Sequence, residues 1–218
     1  MYIKKLTFSF AVLFMLSALF CSCVQNVPEV KSAYATIIFD YSENSSLPKA
    51  RLSVIAESES DVRRYSQMNL YSENGYVWTA QDLLCFSSEG KMYVAFTNFV
   101  VPEGEQLPLG NYSILLETAD GEEIEYELKL DYDTAFYNLS AEKIPPYFSE
   151  QRGGKTIVIY DKNNSVIYYG ERKSELESVR KIWNKYSNAA MFQEVWKASD
   201  GSAMCLMPFT EVTPGQEN

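Results

Sequence analysis

The chain has 218 residues, 29 acidic and 19 basic, for a formal charge of −10, and it contains no histidine. The missing histidine excludes a Ser-His-Asp or Cys-His catalytic arrangement and any histidine metal site. The acidic balance argues against nucleic acid as a partner. Hydrophobic residues make up 46% of the chain, and its 16 tyrosines and 12 phenylalanines favour a folded protein rich in strands.

Residues 1–22 read as an export signal. Lys4 and Lys5 precede an uncharged apolar run from Leu6 to Phe20, and small Ser22 stands before Cys23. The run of 15 residues is shorter than the roughly 20 that a spanning helix needs. Ser22-Cys23 resembles the lipobox of bacterial lipoprotein precursors, with Phe20 where an aliphatic residue is usual. The resemblance implies cleavage before Cys23 and acylation (palmitate or a similar chain) of its thiol. It also implies residence in the bacterial cell envelope, at the outer membrane or cell surface. Losing Lys4 and Lys5 takes the mature chain from −10 to −12. The charge is uneven. Residues 24–149 hold 20 acidic and 8 basic side chains, and residues 150–218 hold 9 of each.

Residues 23–33 form a tether. From Tyr34 to Asp133, strand-like runs alternate with turn signals about every ten residues, which predicts a β-sandwich. The clearest turn is Asn74-Gly75, read as a two-residue type I′ hairpin turn. That register pairs Tyr71 with Trp78 and puts Tyr71, Tyr76 and Trp78 on one face. Exposed, they are a candidate platform for a sugar ring or a protein partner; buried, they are core. Glu123, Glu125 and Glu127 alternate onto one face, read as solvated. Leu107-Pro108-Leu109-Gly110-Asn111-Tyr112 resembles the tyrosine corner of immunoglobulin-like and fibronectin type III-like domains. The resemblance implies that Tyr112 hydrogen-bonds back to nearby backbone.

Residues 134–154, with Pro145-Pro146 and Gly153-Gly154, read as a linker. Residues 155–210 read as a small α+β domain of hairpin, helix, hairpin. Its helix is predicted over 174–188, started by a Ser174/Glu177 capping box and burying Trp183 on the sheet. Residues 211–218 are a polar tail. The expected fold class is therefore mainly β: an immunoglobulin-like sandwich followed by a small α+β domain.

Cys85 and Cys205 lie in apolar surroundings 120 residues apart and are expected to be separate buried thiols, with a disulfide as the alternative. No cofactor or metal is expected, because the cysteines lack metal-ligand spacing and no phosphate-cradling glycine loop occurs. These features point to a non-enzymatic binding or structural role with a protein or glycan partner, anchored by lipid. An accessory subunit of an envelope assembly is one alternative. A glycoside hydrolase running on two carboxylates is another.

Overall fold

The computed structural model describes residues 29–42, 46–59, 61–150 and 153–213. Cys23 and the export signal lie outside them.

Eight strands build the first part: β1 (Val30–Asp40), β2 (Lys49–Ser58), β3 (Tyr65–Ser72), β4 (Val77–Ala80), β5 (Leu84–Ser88), β6 (Lys91–Phe99), β7 (Gly110–Thr118) and β8 (Glu123–Leu130). They form two facing layers, β1-β2-β6-β5 and β4-β3-β7-β8. Lettered A to G in chain order, with β4 as C′, the layers read A-B-E-D and C′-C-F-G, the arrangement of immunoglobulin-like sandwiches. The period-2 pattern explains the layering. Leu52, Val54 and Ala56 of β2 point inward and are fully buried, as are Ile114 and Leu116 of β7. On β8, Glu123, Glu125 and Glu127 alternate outward to solvent, as expected.

The segment read as a linker is packed. It holds 3-10 turns at Thr134–Asn138 and Ala141–Lys143 and a short helix, α1 (Ile144–Glu150). Pro145 and Pro146 lie in the first turn of α1, where the missing amide hydrogens cost nothing. Phe136, Ile144 and Phe148 are buried in the sandwich core.

Residues beyond it supply β9 (Gly154–Asp161), β10 (Val166–Gly170), α2 (Val179–Lys185), β11 (Ala189–Lys197), β12 (Ala203–Leu206) and β13 (Thr210–Glu211). β12 runs parallel to β1, pairing Ile37–Asp40 with Ala203–Leu206. The A-B-E-D layer thereby continues into one nine-stranded sheet, ordered β10-β9-β11-β12-β1-β2-β6-β5, with β13 on β11. Trp196, Ala203 and Cys205 join Phe39 in the sandwich core. A second, smaller core gathers Ile157, Ile159 and Phe192 under Leu176, Val179 and Ile182.

The helix is shorter than its apolar period. Ser174–Leu176 forms a 3-10 turn, and α2 starts only at Val179. Ser178, not Ser174, is the cap, with its hydroxyl accepting from the Lys181 amide at 3.3 Å. Glu177 does not reach back to close a capping box; its carboxylate accepts from Lys181 Nζ at 2.9 Å. Trp183 is half-buried against the smaller core.

The two thiols are free, so no disulfide links them. Cys205 is buried, as expected, and burial pushes its thiol up to about 12. Cys85, expected to be buried, is exposed, because β5 is an edge strand whose residues are all exposed. The thiolate is the reactive form. Partial burial raises the Cys85 thiol too, but Cys85 stays accessible, so iodoacetamide on the native protein is expected to modify Cys85 and spare Cys205 until unfolding. Mass spectrometry showing equal labelling of both thiols in the native state would contradict this burial pattern.

Candidate functional site

The hollows of the surface follow from how the sandwich closes along β1 and β8. β12 pairs with β1 only from Ile37 onward. Along Ala33–Thr36 the β1 edge towards β8 has no ladder partner among the described residues. The side chains there are small, and Ala33 and Ala35 are only half-buried. The result is a groove of about 440 Å³ between Ala33–Thr36 of β1 and Tyr126–Lys129 of β8, closed at one end by Asp200-Gly201-Ser202.

A second hollow of about 320 Å³ continues from it, and Asp131, Asp200 and Ser202 line both. Asp133, Phe136 and Phe148 belong to the second alone. The trough is thus rimmed by Glu127, Asp131, Asp133 and Asp200, with Lys129 as the one cation among its described lining residues. Lys129 Nζ stands 3.8 Å from Asp131.

Several of these carboxylates already hold the fold. Asp200 accepts from the Ser202 amide at 2.9 Å and the Ser202 hydroxyl at 2.7 Å. Those bonds hold its pKa below the usual carboxylate range. Asp133 accepts from the Ala135 amide at 2.8 Å and from the Tyr147 hydroxyl. Thr36 donates to the Gly201 carbonyl at 2.9 Å, fixing the turn against β1. Away from the trough, hydrogen bonds likewise hold Asp61, Asp120, Glu175 and Glu177 below the usual carboxylate range. No group of three or more Cys, Asp or Glu side chains among the described residues is placed to hold a metal ion.

The aromatic candidates lie elsewhere and do not share a face. Tyr71 pairs with Val77, and Leu70 with Trp78, one residue away from the expected register. The turn explains the slip. Gly75 takes positive φ, at +88°, and Asn74 does not. The loop is therefore three residues long, Glu73 to Gly75, closed by the Ser72 amide on the Tyr76 carbonyl at 2.9 Å and the Gly75 amide on the Ser72 carbonyl at 3.0 Å. A slip of one residue reverses the faces. Tyr71 and Val77 point outward, 38% and 61% exposed, while Leu70 is fully buried.

Trp78 turns inward with Tyr76. The two rings stack at 5.4 Å and 12°. Trp78 also stacks on Tyr112 at 6.3 Å and meets Phe99 edge-on at 6.3 Å, and its indole donates to the Val100 carbonyl at 2.6 Å. Tyr76 donates to Glu105. This ladder closes one end of the core and leaves only the margins of Tyr76 and Trp78 to solvent.

Tyr112 is 2% exposed, and its hydroxyl donates to the Pro108 carbonyl at 2.7 Å, which is tyrosine-corner geometry. Gly110 beside it sits at a positive φ that favours glycine, although the flexible Glu73 carboxylate could move away from a side chain there. At φ +123°, a Cβ there would lie 2.0 Å from Glu73 Oε1. Two further tyrosines hold the same loop. Tyr132 donates to the Leu107 carbonyl at 2.5 Å, and Tyr137 accepts from the Leu107 amide at 2.9 Å. Nothing in the local sequence pattern separates them from other core tyrosines. The trough was equally hidden; its one trace is the alanine pair Ala33 and Ala35 where larger strand formers are usual.

No protein-family model matches the chain, and a search of the curated proteins returns no match.

Proposed function

We propose that the protein is a lipid-anchored lipoprotein of the bacterial cell envelope, attached through Cys23. Its role is non-enzymatic, binding or scaffolding a protein or glycan partner. Nucleic acid is repelled by the charge of the mature chain. The observation that carries the binding role is the trough along β1 and β8. It offers an unpaired strand edge beside half-buried Tyr126 and Leu128 under an acidic rim. Of its four carboxylates, Asp133 and Asp200 are held by hydrogen bonds within the fold, while Glu127 and Asp131 are exposed at the rim. Backbone edges and aromatic rings are what protein and glycan partners use.

A second reading, an accessory subunit of an envelope assembly, is favoured by β5. This exposed edge strand, Leu84-Cys85-Phe86-Ser87-Ser88, carries no charge to discourage strand pairing.

Mild crosslinking of the lipidated protein in intact cells tests the binding role. The expected result is a discrete adduct that is lost when Glu127 and Asp131, both exposed, are changed to lysine. Adducts identical in parent and variant would place the partner elsewhere. The same adducts lost on substitution within β5 would favour the subunit reading.

A further inference from the structure

The β1-β2-β6-β5 part of the nine-stranded sheet is covered on one side only. Over β1, β2, β6 and β5 the cover is the four-stranded layer; over β9 and β11 it is α2. The opposite side of β1, β2, β6 and β5 faces solvent at Tyr34, Leu84 and Phe86, and its residues are not those of an ordinary wet face; on β9 and β11 that side is closed, with Val158, Gln193 and Val195 buried. The register places Tyr34, Ile55, Ala95 and Leu84 in one row across four strands. The next row holds Ser32, Glu57, Tyr93 and Phe86. Tyr34, Leu84 and Phe86 are 58%, 54% and 43% exposed, and Phe86 stacks on Tyr93 at 5.2 Å. Ala95 is 1% exposed on this open side because its large neighbours cover it.

The acids on this side meet bases, and Lys49, opposite Asp40, is a further exposed base. Lys91 Nζ meets Glu57 at 2.9 Å, and Arg51 meets Asp40 at 2.6 Å. On the outer face of the other layer, Glu117, Glu123, Glu125 and Glu127 lie across two adjacent strands. The sandwich therefore has one largely apolar, aromatic face whose acids are paired and one acidic face.

The anchor decides what the apolar face meets. Residues 23–29 separate Cys23 from the start of β1 at Val30. Fully extended, seven residues span at most about 25 Å, and Tyr34 lies on the first strand after them. Tyrosine, phenylalanine and leucine beside a lysine are interfacial side chains. Strands rotate by roughly 20–25° from one to the next, so β9 and β10 turn out of the plane of these four.

We infer that the outer face of β1-β2-β6-β5, centred on Tyr34, Leu84 and Phe86, docks on the bilayer surface beside the anchor and turns the acidic face away from the lipid. This rests on lipid attachment at Cys23. Docking gives the anchored molecule a fixed orientation instead of a free swing on its tether.

The test uses the full lipidated protein in phosphatidylcholine bilayers, with and without bromine on the acyl chains. Phe86→Trp reports the docking face, Leu84→Trp repeats it, and Tyr71→Trp reports the opposite layer; the parent's own emission is subtracted. An interfacial side chain reaches 5–10 Å below the headgroups, so bromine is expected to quench Phe86→Trp and Leu84→Trp at least roughly twofold more than Tyr71→Trp. Equal quenching at the two faces of a protein that floats with the bilayers overturns docking while leaving the anchor in place. A concentration-dependent blue shift at Phe86→Trp without quenching means a second copy covers the face, which also overturns it. Failure to float overturns the anchor and docking together.

Discussion

Phe148→Ala is expected to lower stability by about 3–5 kcal/mol, the usual cost of removing a buried aromatic ring. Phe148 is 1% exposed. It stacks on Phe136 at 5.3 Å and 22°, and its ring centroid is 6.1 Å from that of Trp196 on β11. It therefore joins the packed 134–150 segment to the strands that follow. Gly153 lies against the ring and has no side chain to fill the void; a Cβ there would lie 2.2 Å from the ring. Since β12 is hydrogen-bonded to β1 and one core runs through both parts, the loss should appear in a single unfolding transition. Guanidinium titration followed by tryptophan emission and near-ultraviolet dichroism checks both points. A loss under about 1 kcal/mol, the typical effect of an average substitution, or two separated transitions would contradict the shared core.

Trp78→Ala is expected to cost about 3 kcal/mol, the lower end for a large aromatic residue because part of the ring meets solvent. Three ring contacts go at once, with Tyr76, Tyr112 and Phe99. So does the indole bond to the Val100 carbonyl, worth about 1 kcal/mol net. Tyr71→Ala, on the outer face, should leave the melting temperature nearly unchanged. The pair separates a core tryptophan from a surface platform. A Trp78→Ala protein that melts with the parent would restore the platform.

What could be read from the sequence was whatever is governed by local period and chain order. Strand-like runs broken by turn signals about every ten residues predicted the sandwich, and Leu107–Tyr112 predicted the corner that the Tyr112 hydroxyl makes. Failures came where a tertiary contact outweighed a local rule. Asn74-Gly75 satisfied the composition of a two-residue turn. The observed three-residue turn is tied to the neighbouring strand by the Glu73 amide on the Asn111 carbonyl at 3.1 Å and the Asn111 side-chain amide on Glu73 at 3.0 Å. That one-residue difference dispersed the aromatic candidates. Pro145-Pro146 and Gly153-Gly154 suggested a linker, yet the prolines lie in the first turn of α1. Parallel pairing of β12 with β1 joins residues more than 160 apart in sequence, and no local pattern announces it. The trough depends on the same pairing stopping at Ile37, so it was equally out of reach.

The central claim is attachment through Cys23, and metabolic labelling with an alkyne fatty acid tests it most directly. Acyl chains contribute about 0.8 kcal/mol per buried CH₂, and stable anchoring takes more than one chain. The parent should be labelled, shortened by its first 22 residues and found with membranes. Cys23→Ala should carry no label and either keep its signal or leave the membrane. Labelling of Cys23→Ala at the parent's level would move the attachment to Cys21 and contradict the account.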